Sequence, residues 1–111
     1  MIPVTDDVLK KAAHILGKVR GVTKVVLFGS RARGDYREDS DIDLLVVEDK
    51  TFGPKVSRRG EMTALRRRLA AIKSPVDILV YSRAEWEHWR YESCHVIGKA
   101  AEEGKVLYER T

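Results

Sequence analysis

Residues 22–47 read VTKVVLFGSRARGDYREDSDIDLLVV, two short apolar runs joined by a glycine-bounded turn and a charged loop. The first run gathers Val25, Val26, Leu27 and Phe28 and closes at Gly29, the pattern of a buried strand. The second, residues 41–47, alternates. Side chains two apart in a strand share a face, so Asp41 and Asp43 project one way while Ile42, Leu44 and Val46 project the other. Between the runs, GSRARG predicts a tight glycine-bounded turn, and Gly34 can end it at positive φ.

Reading outward, Thr5 followed by Asp6 and Asp7 is a helix start, with a capping hydroxyl and two carboxylates where the helix dipole favours them. Val8, Ala12, Ile15, Leu16 and Val19 recur at helical spacing as far as Gly21. After the second strand, Met62, Leu65, Leu69 and Ile72 mark a helix within residues 55–73, and Arg58, Arg59, Arg66, Arg67 and Arg68 lie largely off its apolar face as a solvated surface. Ser74-Pro75 stops it, and VDILVY at residues 76–81 is a third strand. Ser82 then caps a helix reaching Glu92, in which Trp86, Trp89 and Tyr91 are packing residues. A last helix over residues 96–103 ends at Gly104, and KVLYE adds an edge strand. The fold class is α/β: a small mixed sheet with helices packed on one face, leaving the other face for a site.

A chain of 111 residues has room for one domain, 1–111, whose core would gain from a partner or a homo-oligomer. Twenty-one Lys and Arg against seventeen Asp and Glu give net +4, a weak attraction for phosphate-rich partners. With no reading helix or aromatic strand face, direct nucleic-acid binding is not expected. Cys94, the single cysteine, excludes an internal disulfide and reads as a small buried residue. No apolar run approaches the roughly 20 residues that span a bilayer, and MIPVTDDVLKK lacks the features of a secretory or transit signal, so no membrane association and a cytoplasmic location are expected. His14, His88 and His95 show no metal-ligand spacing with Cys94, so they read as surface or packing residues and zinc is not expected.

The chemistry lies in the carboxylates. Asp41 and Asp43 repel each other, and a divalent cation is the commonest way to keep both ionised; hard oxygen donors select Mg²⁺ or Mn²⁺. Asp77 repeats the alternation in the third strand, and three carboxylates could hold two ions. Gly29 and Ser30, at the end of the first strand, offer N–H groups and a hydroxyl to a triphosphate, while Arg31 or Arg33 could add a guanidinium fork.

Gly29-Ser30, ten residues, then Asp41-Ile42-Asp43, with Ala32, Arg33, Gly34 and Ser40 in the gap, resembles the minimal nucleotidyltransferases of the polymerase-β-like superfamily. The C-terminal KVLYER also looks like this group. The resemblance implies the polymerase-β palm-like fold and a two-metal site. In that site Asp41 and Asp43 bind both Mg²⁺ ions, Asp77 binds one and helps deprotonate the acceptor hydroxyl, and Gly29 and Ser30 hold the triphosphate of ATP or another nucleoside triphosphate. Minimal members are often paired with a HEPN-domain toxin, and some silence it by transferring AMP to its tyrosine. The expectation is therefore a protein adenylyltransferase acting as the antitoxin of a type VII-like toxin–antitoxin pair. Two other functions compete: an antitoxin that works mainly by covering its partner, which would use Trp86, Trp89 and Tyr91 as an apolar patch, and a transferase acting on a small hydroxylated molecule.

Overall fold

The computed structural model describes residues 4–110; residues 1–3 and residue 111, the two ends of the expected 1–111 domain, lie outside the described residues. The elements follow in the order α1 (Asp6–Gly17), β1 (Val22–Phe28), α2 (Ser30–Arg33), β2 (Ile42–Glu48), α3 (Arg58–Arg68), β3 (Val76–Ser82), α4 (Arg83–Trp89), α5 (Val96–Glu103) and β4 (Lys105–Glu109). The strands form one sheet in the order β3-β2-β1-β4. β1 pairs antiparallel with both β2 and β4, whereas β2 and β3 are parallel, which makes the sheet mixed.

Local chemistry explains the boundaries. Thr5 caps α1 by accepting from Val8 N, and Ser57 does the same for α3 from Gly60 N. Ser82 and Glu85 form a reciprocal capping box that opens α4 directly from the end of β3. α3 is shorter than residues 55–73 at both ends: a bridge between Gly53 and Val56 precedes it, and it stops at Arg68 with Leu69 as its C-cap, so Leu69 and Ile72 reach the core from the turn that follows. β2 extends one residue further than expected and ends on Glu48.

Alternation along the strands builds two cores. Val25, Leu27, Leu44, Val46, Ile78 and Val80 pack with Ala12 and Leu16 of α1 and Leu65 of α3 on one face. Val26, Leu45 and Val47 pack with Trp86 of α4 and Ile97 and Ala100 of α5 on the other. The sheet and its mixed pairing are those expected, but helices cover part of the second face too. A central strand with apolar residues facing both ways, as in Leu44-Leu45-Val46-Val47, needs cover on both sides. Trp86 is core, Trp89 is half-buried, and Tyr91 is 87% exposed, so the three do not make the apolar patch a covering antitoxin would use. Cys94, expected to be buried, is exposed in the turn between α4 and α5, where its small size imposes no burial.

Candidate active site

Three segments converge at one end of the sheet. β1 ends where β2 begins, with Phe28 opposite Asp43, and the parallel pairing of β2 with β3 sets Asp43 opposite Asp77. Ile42, Leu44 and Ile78 point into the core under α1 and α3, so the two-residue period turns Asp41, Asp43 and Asp77 toward the opposite face. Asp43 is half-buried; Asp41 and Asp77 are exposed. Burial above all, then the charges of Asp77 and Asp41, push the Asp43 carboxyl above the usual aspartate range, while Arg33 acts against them.

Gly29 closes this arrangement from the β1 side. Its φ of 74° lies in the region that favours glycine, and a Cβ there would collide with Asp43 Oδ2. The glycine is what lets the backbone lie against the carboxylate. Ser30 opens α2, and Gly34 ends it at φ 90°, returning its N–H to Ser30 O. The first N–H groups of a helix have no partner within it, and here they stand next to the carboxylate cluster.

The two arginines of the turn have different employment. Arg31, read from sequence as one of two possible phosphate ligands, is buried and spends its guanidinium on the loop: Nε and Nη2 donate to Ser40 O at 3.0 and 2.8 Å, and Nη2 to Glu38 O at 3.2 Å. With Tyr36 over its guanidinium, it positions the segment entering Asp41. Arg33 is the exposed one, with Nε 3.3 Å from Asp35 Oδ2 and Nη1 3.5 Å from Glu103 Oε2. Those neighbours raise its already high pKa, the hydrogen bond it donates to Asp35 most.

Among the described residues no group of three or more His, Cys, Asp or Glu side chains is placed so that it could hold a metal ion. What the aspartates offer is an open set of hard oxygen donors that crowd one another's charge, and this suits Mg²⁺ or Mn²⁺ better than zinc. Two concavities, of about 250 and 430 Å³, are lined by other residues, the first by Lys24, Trp86 and Arg110, the second by Leu9, Arg31 and Tyr36. The exposed Asp41 and Asp77 stand on an open shelf.

Two polar groups escaped the sequence reading. At the far end of β2, Glu48 is fully buried beside Lys50 Nζ (3.3 Å), which also holds Glu61 Oε2 at 2.5 Å. Burial above all, with the nearby Glu61, raises Glu48 to about 7 against the pull of Lys50. Glu61, although burial pushes it upward, is held below its ordinary value by the neighbouring Glu48 and by the hydrogen bond that Lys50 donates to it. Arg58, assigned to the solvated face of its helix, instead grips Glu85 with two bonds of 2.9 and 2.7 Å and donates to Val80 O at 2.7 Å. The glutamate directly after four apolar strand residues was the one signal for the first group; nothing in the helical spacing marked the second.

The family described as "Polymerase beta, Nucleotidyltransferase" matches residues 10–111. A protein of Methanocaldococcus jannaschii named "Putative protein adenylyltransferase" is 49% identical over 49 residues, covering 42% of this chain and 49% of the relative, so that match spans about half the relative's length. The crystal structure of a "putative nucleotidyltransferase" from Sulfolobus solfataricus aligns with TM-score 0.64 at 24% identity, covering 94% of this chain and 79% of that one. The Shewanella oneidensis structure of a tri-AMPylated HEPN toxin in complex with MNT antitoxin aligns with TM-score 0.52 at 18% identity, covering 96% and 74%. At those identities the two structures speak for the fold. Among the described residues no helix is long and apolar enough to cross a membrane.

Proposed function

The chain belongs to the polymerase beta nucleotidyltransferase family, and from that premise we propose that it transfers AMP from ATP to a tyrosine hydroxyl of a HEPN-domain partner, as the antitoxin of that pair. The carrying observation is the meeting of Asp43 with Asp77 across the parallel β2–β3 register, with Asp41 beside them and Gly29 against Asp43. The relative's name supports adenylyl transfer to protein, and the antitoxin complex of like fold supports the kind of partner.

In the reaction proposed, the acceptor oxygen forms a bond to the α-phosphorus of ATP. The bond from that phosphorus to the bridging oxygen breaks, and pyrophosphate leaves with the electron pair. Asp77, exposed at the start of β3, takes the hydroxyl proton. Asp41 and Asp43 would hold Mg²⁺, which supplies neutralisation of the phosphate charge. Ser30 and the N–H groups that open α2 bind the triphosphate, and Arg33 adds positive charge at its edge. The open shelf at Asp41 and Asp77 favours a macromolecular acceptor over a small molecule, which needs enclosing walls.

The test mixes the purified chain, a HEPN partner, ATP and Mg²⁺, and reads the partner's mass and toxicity. An AMP-sized mass gain on a partner tyrosine that chelator abolishes, together with loss of toxicity, is expected. Full neutralisation without a mass gain would replace this reading with one of inhibition by binding.

A further inference from the structure

Residues 55–73 hold seven Lys and Arg and one Glu, a net +6 in a chain of net +4, so the remainder is net −2. The excess is concentrated on α3 and its flanks. Arg58 is turned inward onto Glu85, and Arg68 lies within electrostatic reach of Glu61. Arg59, Arg66, Arg67 and Lys73 are exposed and, among the described residues, have no ion-pair partner. Arg59 and Arg66 are seven residues apart, which stacks them on one flank of the helix, with Arg67 next to them on the outer side.

The row has a direction. α3 packs on β3, and its first residue, Arg58, bonds to Val80 O near the far end of that strand. The helix therefore runs back along β3, so Arg66, Arg67 and then Lys73 lie toward the end of the sheet where β3 starts and Asp77 stands, but on the α3 face, opposite the one from which the aspartates project. The arginines form a track that ends at the β3 edge, so a partner bound to it and reaching Asp77 must wrap that edge.

We propose that this track docks an acidic surface of the acceptor protein, next to the hydroxyl that is modified; the proposal rests on the adenylyl-transfer reading above. Arginine matches carboxylates through its planar fork and is enriched where proteins meet. Opposite charge also speeds encounter and sets orientation, which an open site without walls requires. An acidic protein fits better than RNA, because the exposed aromatics Tyr36 and Tyr91 lie on other segments and bases have no stacking platform on α3.

The test uses the full chain and a fluorescent random copolymer of glutamate and tyrosine, with binding read by anisotropy. Arg66→Glu with Arg67→Glu should weaken binding at least about tenfold, whereas Arg66→Lys with Arg67→Lys and the distant Arg83→Glu should stay within about threefold of wild type; added salt should weaken wild-type binding. Equal binding by wild type and the Glu double variant would overturn the proposal. So would tighter binding of a single-stranded RNA homopolymer with the same dependence on Arg66 and Arg67, which would make the track a nucleic-acid surface. Transfer is scored separately with labelled ATP. A wild-type chain that binds the copolymer through the track yet adenylylates neither it nor a HEPN partner would end the catalytic reading and leave the docking surface standing.

Discussion

β2 carries carboxylates at both ends, and the fold treats them in opposite ways. At the far end Glu48 is wholly buried, and the chain supplies its own cation, Lys50, shared with Glu61. At the near end Asp43 faces Asp77 and Asp41, and the guanidinium whose charge acts on it, that of Arg33, is bound to Asp35 and Glu103. One cluster is closed on itself and fastens β2 to α3. The other keeps charge that only something outside the chain can neutralise, which is the physical difference between a structural and a functional carboxylate cluster.

Asp41→Asn with Asp43→Asn strips the charge from the near end. Transfer should fall by several orders of magnitude, while thermal unfolding shows a melting temperature equal to or above wild type, because mutual repulsion is relieved. The mirror experiment at the far end is Lys50→Met. Stripped of its cation, Glu48 should cost about 2–3 kcal/mol of stability at pH 8 and less toward pH 5, where it takes up a proton, with transfer per folded molecule unchanged. Denaturant unfolding at the two pH values measures it.

Gly29→Ala acts on both backbone and site. A positive φ and the collision with Asp43 Oδ2 together should cost about 2 kcal/mol and much of the transfer rate. Gly34→Ala has the same kind of φ but open space around it, so it should cost only about 1 kcal/mol. Equal losses would mean that the contact with Asp43 contributes nothing.

The smallest effect concerns pH. Folding raises Glu48 from the ordinary glutamate value of 4.5 to about 7, so in that window the folded state holds a proton that the unfolded state has released. Stability from this group is therefore present below about 4.5 and lost as pH rises through about 7. Glu48→Gln should flatten the fall and gain about 1–2 kcal/mol at pH 8, read from unfolding midpoints between pH 5 and 8.

The strands and their succession along the chain were legible because Val22–Phe28 and the DIDLLVV alternation have no competing helical reading, and the nearness of Asp41, Asp43 and Asp77 because they lie at two strand starts. Cover on the second face was harder to foresee. α4 carries its bulky residues on a short segment, and only the three-dimensional path shows Trp86 folding over Val26 and Val47. Arg31 and Arg33 look alike in GSRARG, and a helix of four residues turns one inward and the other out. Arg58 and Lys50 escaped for a related reason: a long cationic side chain can leave the face its position suggests and reach a carboxylate on another element.

The parallel β2–β3 pairing has a further consequence, for folding. β1 and β2 are neighbours along the chain and can pair early, but Asp43 meets Asp77 only after the whole α3 crossover has closed, a separation of thirty-four residues. Non-local pairings of this kind are slow to form, since the loop entropy is lost before the contact is gained. The carboxylates thus remain apart in any chain whose α3 crossover has not closed. A chain trapped short of that step would keep the glycine turn and the first two aspartates yet have no third carboxylate, leaving it unable to complete transfer to any protein it meets.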